Sequence, residues 1–513
     1  MPKNIVICAD GTGNSTIKGR GTNVFKLYEA VDENGHRINP AALEAQVAIY
    51  HDGVGTESLK WIRIVTGATG WGLSRNVKQL YGELARVYDP GDRIFLFGFS
   101  RGAFTVRTLG GLIATCGILD LKRYATNTEL TRGIDEAYRA YRRKYQTWLS
   151  RVLRGKREVD AVTLRARFSV SHPTDAPGGA IPIHFLGVWD TVDAVGMPFR
   201  ITDVINALFY RFKFPDTTLN GQVKKACHAL ALDEARRSFF PLLWDQARET
   251  DRTRIEQVWF AGVHSNVGGG YPRQGMSLVT LDWMMSRAEA AGLRFNAAER
   301  ELYRGHVAVN DKRYDSRAGA GMFYRWLPRD AATLCRDNTV PPRVHRTVFD
   351  RIARNTEGYA PGTIPAEFEI VSSTLPPAQA REVEGTVKQA HAGAPSLLAS
   401  QGSLLALGQV SYWLLIIAVI GLLVPGLSTY ILDAFHADGP IRALVEIVKG
   451  LFSMKWIGVV LQTIWRMPIV STILVVTLVG SFWLQFYVAN WFDRRYSAFW
   501  HHLRLPLRKT LGF

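Results

Sequence analysis

The sequence predicts an α/β fold, a mostly parallel sheet with helices on both faces, followed by C-terminal membrane-crossing helices. Three observations carry this expectation. Short apolar runs alternate with runs of helical spacing, the apolar runs end in turn residues that bear chemistry, and two long stretches near the C-terminus hold no charge.

The strand-like runs are Asn4 to Ala9, Gln46 to Tyr50, Arg93 to Phe97, Pro182 to Trp189 and Gln257 to Ala261. Each is brief and predominantly apolar, as strands buried on both faces tend to be. Between them Val77 to Val87, Gly102 to Ile113 and Leu278 to Ala291 repeat apolar residues at helical intervals. Sheets of this kind bind ligands outside the carboxyl ends of their strands. The residues that follow each strand are therefore the place to look for function.

After the third run stands Gly98-Phe99-Ser100-Arg101-Gly102. A serine held where a buried strand turns sharply into a helix is a nucleophile elbow, and both flanking glycines are needed because a strained turn leaves no room for side chains. The helix that follows aims its positive end at the serine. An α/β-hydrolase-like arrangement is the expectation that follows.

After the first run comes Asp10-Gly11-Thr12-Gly13-Asn14. Thr16 stands where a dinucleotide-binding loop needs its third glycine, and no Walker lysine follows, so the loop is not read as a nucleotide cradle and no cofactor is expected. In a hydrolase, the backbone N–H of Gly11 would share an oxyanion hole with that of Arg101, the residue after the nucleophile. A plain turn is the other reading of this loop.

The fourth run ends in Trp189-Asp190-Thr191-Val192-Asp193. Asp190 closes the apolar run directly and is the preferred partner for a histidine, while Asp193 lies further into the turn. The fifth leads to Gly262-Val263-His264-Ser265-Asn266-Val267-Gly268-Gly269-Gly270-Tyr271, with His264 in a glycine-dense loop. His184 falls inside a strand, His228 inside a helix-like run, and His501 and His502 beside the membrane stretch. The chain order Ser100, Asp190, His264 is the order of nucleophile, acid and base in α/β-hydrolases.

Together, Asp10 to Asn14, Thr22-Asn23-Val24, Asp52 to Thr56, Gly98 to Ala103, Val188 to Thr191 and Gly262 to Tyr271 resemble an α/β-hydrolase domain family that includes type VI secretion phospholipase effectors. The resemblance runs from about Pro2 to Ser373 and implies a Ser100, Asp190, His264 triad acting on lipid esters. The family's commonest pattern has Asp after His-Ser, where this chain has Asn266. An attached membrane anchor also sets the chain apart from an injected effector.

Ser403 to Leu432 and Met467 to Phe492 contain no charged residue, and each exceeds the ~20 residues that cross a bilayer. Tyr412, Trp413, Trp483, Tyr487 and Trp491 take interfacial positions. The expected organisation is a catalytic domain over 1–377, a linker over 378–408, and a membrane domain over 409–513 with spans at about 409–432 and 467–492. Between the spans, Ile441 to Trp465 carries Arg442, Glu446, Lys449 and Lys455 and reads as an amphipathic helix lying on the surface. Arg494, Arg495, Arg504, Arg508 and Lys509 crowd behind the second span, which places that end and the catalytic part in the cytoplasm, at a bacterial inner membrane. No signal peptide is read before Ile5.

Cys8, Cys116, Cys227 and Cys335 are too scattered for a disulfide framework or a zinc site. The formal charge of +17 would suit nucleic acid or anionic lipid, and beside the uncharged stretches lipid is the preferred partner; a merely basic soluble surface is the other reading. The sequence thus points to a membrane-anchored serine hydrolase of lipid or another acyl ester. Two rivals are a silent membrane scaffold that keeps the fold, and a metal-assisted phosphoesterase built on Asp10 and Asp52, which no histidine cluster accompanies.

Overall fold

The computed structural model describes residues 2–11, 21–39, 43–52, 71–143, 160–170, 179–193, 217–335, 340–392, 396–398, 401–424, 428 and 455–513. Eight strands form one sheet: β1 (Asn4–Ala9), β2 (Gln46–His51), β3 (Arg93–Phe99), β4 (Ile183–Trp189), β5 (Ala226–Ala231), β6 (Ile255–Phe260), β7 (Arg343–His345) and β8 (Glu369–Val371). They lie in the order β2-β1-β3-β4-β5-β6-β7-β8, and every pairing is parallel. The order reverses direction between β1 and β3, which opens a crevice at their carboxyl ends. Asp10 and Ser100 stand there.

Alternation along the strands builds two cores. Ile5, Ile7, Ile94, Leu96 and Val188 face one side, where they meet helices Trp71–Val87, Arg101–Cys116 and Asn127–Arg142. Val6, Cys8, Phe95, Phe97, Phe185 and Trp189 face the other, against helices Asn23–Ala30 and Gly275–Ala290. This period of two with both faces covered is why the runs read as apolar throughout.

Three strands escape the sequence reading. β5 is Ala-Cys-His-Ala-Leu-Ala, whose alanines favour a helix, yet it is fully buried in mid-sheet. His228 is therefore a strand residue, not a helical one. β7 and β8 have only three residues each.

Two compact units result: Met1–Tyr324, Pro328–Leu397 and Phe499–Phe513 make one, and Arg325–Leu327 with Leu398–Ala498 the other. Within the stretch expected as a linker, Pro377–Ala390 is a helix whose Val383 and Val387 are buried in a third core around β7. Phe499–Phe513, expected as a basic tail, places Trp500, Leu503, Leu507 and Leu511 in that same core, and Trp500 Nε1 donates to Pro361 O at 2.6 Å.

In the second unit, Gly402–Val424 is a helix long and apolar enough to cross a membrane. So is Pro468–Leu511, a single helix that runs on past Ala498. Val410, Ile417, Ile473, Val476, Trp483 and Phe486 present their apolar side chains outward. Lys455–Arg466 is a helix of 12 residues as far as the described residues go, fewer than a crossing needs. The rest of the expected surface helix, 441–454, lies outside the described residues.

Candidate active site

Register brings the strand ends level. Ala9 pairs with Gly98, Phe99 with Trp189, Trp189 with Ala229 and Ala231 with Phe260. The next residues of each strand therefore converge on one rim, though they are far apart in sequence.

Ser100 has φ 58° and ψ −121°, a backbone strained for any residue with a side chain. The neighbouring glycines permit it. A Cβ on Gly98 would stand 2.6 Å from Gly102 O, and one on Gly102 would stand 2.1 Å from Ala9 O. Ser100 N–H donates to Trp189 O at 3.0 Å, tying the turn to β4. The helix that starts at Arg101 then carries its first-turn amides to the serine.

Three of the residues singled out in the sequence meet in series. Ser100 Oγ lies 2.8 Å from His264 Nε2, and His264 Nδ1 lies 2.5 Å from Asp190 Oδ2. Asp190, not Asp193, faces the imidazole. Asp190 also holds a positive φ of 41°, and all three side chains are buried. The rings of Phe99 and Phe239 flank His264, with centroids 4.6 Å and 5.1 Å away.

Burial alone would push the Asp190 carboxyl upward, but the Arg329 guanidinium and the His264 hydrogen bond hold it well below the usual carboxylate range. Burial lowers His264, and Asp190 only partly opposes that. The imidazole is thereby kept neutral, with Nδ1 donating and Nε2 ready to accept a proton.

Two residues here carried no sequence signal. Arg329 is fully buried against Asp190, with Nη1 to Oδ1 at 2.6 Å and Nη2 to Oδ2 at 2.9 Å. Glu234 accepts the backbone N–H of His264 at 3.2 Å and the hydroxyl of Ser316 at 2.9 Å, and is paired with Arg236 at 2.8 Å. Both come from loops without periodicity, so only the folded chain reveals them.

The remaining motifs buttress the site. Asn23 donates through Nδ2 to Val267 O, Ser277 O and Thr280 Oγ1, at 2.8–2.9 Å, and so moors the His264 segment. Asn266 Oδ1 accepts from Val263 N–H and Tyr314 N–H, and its Nδ2 donates to Lys312 O. A carboxylate at that position would lose the last bond, so the departure from Asp suits an amide that both gives and takes. Thr22 caps its helix at Phe25 N–H and donates to Asp10 Oδ2 at 2.6 Å.

Asp10 is engaged by Thr22, by Tyr50 at 2.7 Å and by the Gly11 N–H at 2.5 Å. The Gly11 amide is thus turned onto its neighbour's carboxylate in this conformation. Thr12 to Asn14 and Gly53 to Thr56 lie outside the described residues. Among the described residues no group of three histidine, cysteine or acidic side chains is arranged to hold a metal ion.

Residues 3–287, more than half of the chain, match the family described as "T6SS, Phospholipase effector Tle1-like, catalytic domain". The chain is 27% identical over 250 residues to the uncharacterized protein YEL023C of Saccharomyces cerevisiae, covering 46% of this chain and 32% of that protein. It also resembles a solved structure, an uncharacterized protein from Pseudomonas aeruginosa, at 18% identity and a TM-score of 0.33, covering 76% of this chain and 58% of the other. The chain thus spans about a third of the yeast relative's length.

Proposed function

We propose, since the chain belongs to the type VI secretion Tle1-like phospholipase effector catalytic-domain family, that it is a membrane-anchored serine hydrolase of lipid esters. The observation that carries this reading is the unbroken series of hydrogen bonds from Ser100 Oγ through His264 to Asp190, set at a strained strand-to-helix turn.

The chemistry follows from the atoms. His264 Nε2 takes the proton of Ser100 as Oγ attacks the ester carbonyl, and returns it to the leaving alcohol. Water then attacks the acyl-serine with the same base. Asp190 holds the Nδ1–H tautomer and stabilises the imidazolium that forms. The Arg101 N–H, first in the helix after Ser100, would receive the oxyanion, and such a donor is typically worth about 3 to 4 kcal/mol. Gly11 N–H would join it after turning from Asp10.

Helices Gly402–Val424 and Pro468–Leu511 would keep the site beside a lipid surface, with the catalytic unit in the cytoplasm. Labelling with a fluorophosphonate probe tests the nucleophile: wild type should be modified at Ser100, and Ser100→Ala should not. Comparing the lipids of cells expressing either chain would then identify the ester; identical lipid profiles would count against a lipid substrate.

A further inference from the structure

Arg329 lies beyond residue 287, where the family match ends, and its side chain is wholly buried. Its two terminal nitrogens do four things. They grip both oxygens of Asp190 at 2.6 Å and 2.9 Å, which fixes the plane of the carboxylate. They also donate to Ala231 O, at 2.5 Å, and to Phe239 O. Ala231 returns its own N–H to Asp190 Oδ1 at 3.0 Å, and Phe239 sets its ring edge-on to His264. One guanidinium therefore joins the acid, the strand end beside it and a ring that walls the imidazole.

We propose that Arg329 is the positioning residue of the Asp190–His264 dyad, holding the carboxylate in the geometry His264 needs and offsetting its charge. The proposal rests on the hydrolase reading given above. Charges around the imidazole come in neutral pairs, Asp190 with Arg329 and Glu234 with Arg236. The other groups against it are the Ser100 hydroxyl and the rings of Phe99 and Phe239, while His228, nearer Asp190, is kept neutral by burial. A carboxylate already paired with a cation attracts an imidazolium less than a lone one would. His264 is thereby a weaker base that stays unprotonated into acid, and hydrolysis persists at low pH.

The test uses the full chain in detergent with ¹³C-labelled histidine, His264→Ala identifying the resonance. In Arg329→Gln the titration midpoint of His264 should rise by about 1 to 3 pH units, and the acid limb of Ser100 labelling by a fluorophosphonate should move with it. Arg329→Lys keeps the charge without the fork, so its midpoint should stay near wild type while labelling slows roughly 100-fold. An unchanged midpoint in folded Arg329→Gln, or wild-type labelling speed in Arg329→Lys, overturns the proposal. Should Arg329→Gln fail to fold, Asp190→Asn/Arg329→Gln should recover the melting temperature because both charges are gone; a double variant no better folded also overturns it. A wild-type chain that never labels counts against the hydrolase reading alone, since the His264 midpoint is read without turnover.

Discussion

The ring of Phe99 fills the place where a side chain at Gly268 would stand: a Cβ there would lie 2.0 Å from Phe99 Cε2. The same ring packs on His264. The residue before Ser100 and the end of the short helix that begins at His264 thus share one contact. Gly268→Ala is expected to cost about 1 to 3 kcal/mol of stability and to slow Ser100 labelling. Gly305, which has nothing within 4 Å of an added Cβ, supplies the control. Equal melting temperatures for Gly268→Ala and Gly305→Ala would refute the steric account.

Ser100→Ala and His264→Ala should each remove nearly all ester hydrolysis, and the double variant should be little worse than either, because the pair acts as a unit. Turnover of a soluble chromogenic ester measures this. Losses that multiply would mean the two residues act separately.

Asp190→Asn is predicted to do more than spoil the tautomer. The amide leaves the Arg329 cation buried without its counter-charge, a loss of about 3 to 5 kcal/mol on top of the lost turnover. Asp193→Asn should spare both properties. Thermal melting and turnover of the two variants compare the acids directly, and the reverse pattern would transfer the role to Asp193.

Phe499–Phe513 belongs to the same compact unit as Met1–Tyr324, so a chain inserted in a membrane must cross it an even number of times between Leu398 and Ala498. Two crossings, one for each of the two apolar helices found among the described residues, would satisfy that parity. A cysteine placed at Ala437, a position outside the described residues, should be labelled from outside intact cells, and one placed after Arg508 should be spared. External labelling of the second would require a third crossing and a different path for the chain.

Much of the site was legible because its atoms sit at the ends of apolar strands, where local signals are strongest. Ser100, Asp190 and His264 each follow a short apolar run that folds as a strand, and the topology then does the convergence. Arg329 and Glu234 were not legible: their roles are created by loops that meet in space, and a single charged residue in a loop has no period to betray it. β5 misled because alanine's helical preference is overridden by burial between two neighbours. Phe499–Phe513 misled for a related reason, since its arginines suggest a solvated tail while Trp500, Leu503, Leu507 and Leu511, at helical spacing, line one buried face.

That last segment also sets the order in which the protein can mature. The third core holds Val344, Phe349, Val383 and Val387 from one stretch of chain and Trp500, Leu503 and Leu507 from the last turns of helix Pro468–Leu511, with Gly402–Val424 and the earlier, apolar part of that second helix made in between. On the ribosome the unit that bears Ser100 must wait, its hydrophobic wall open, until those helices have emerged. Premature termination after Ala498 would then leave Ser100, Asp190 and His264 in the chain and still yield a protease-sensitive product. Pulse–chase proteolysis of nascent chains would time that closure, and protection acquired before Trp500 emerges would show that the wall closes without it.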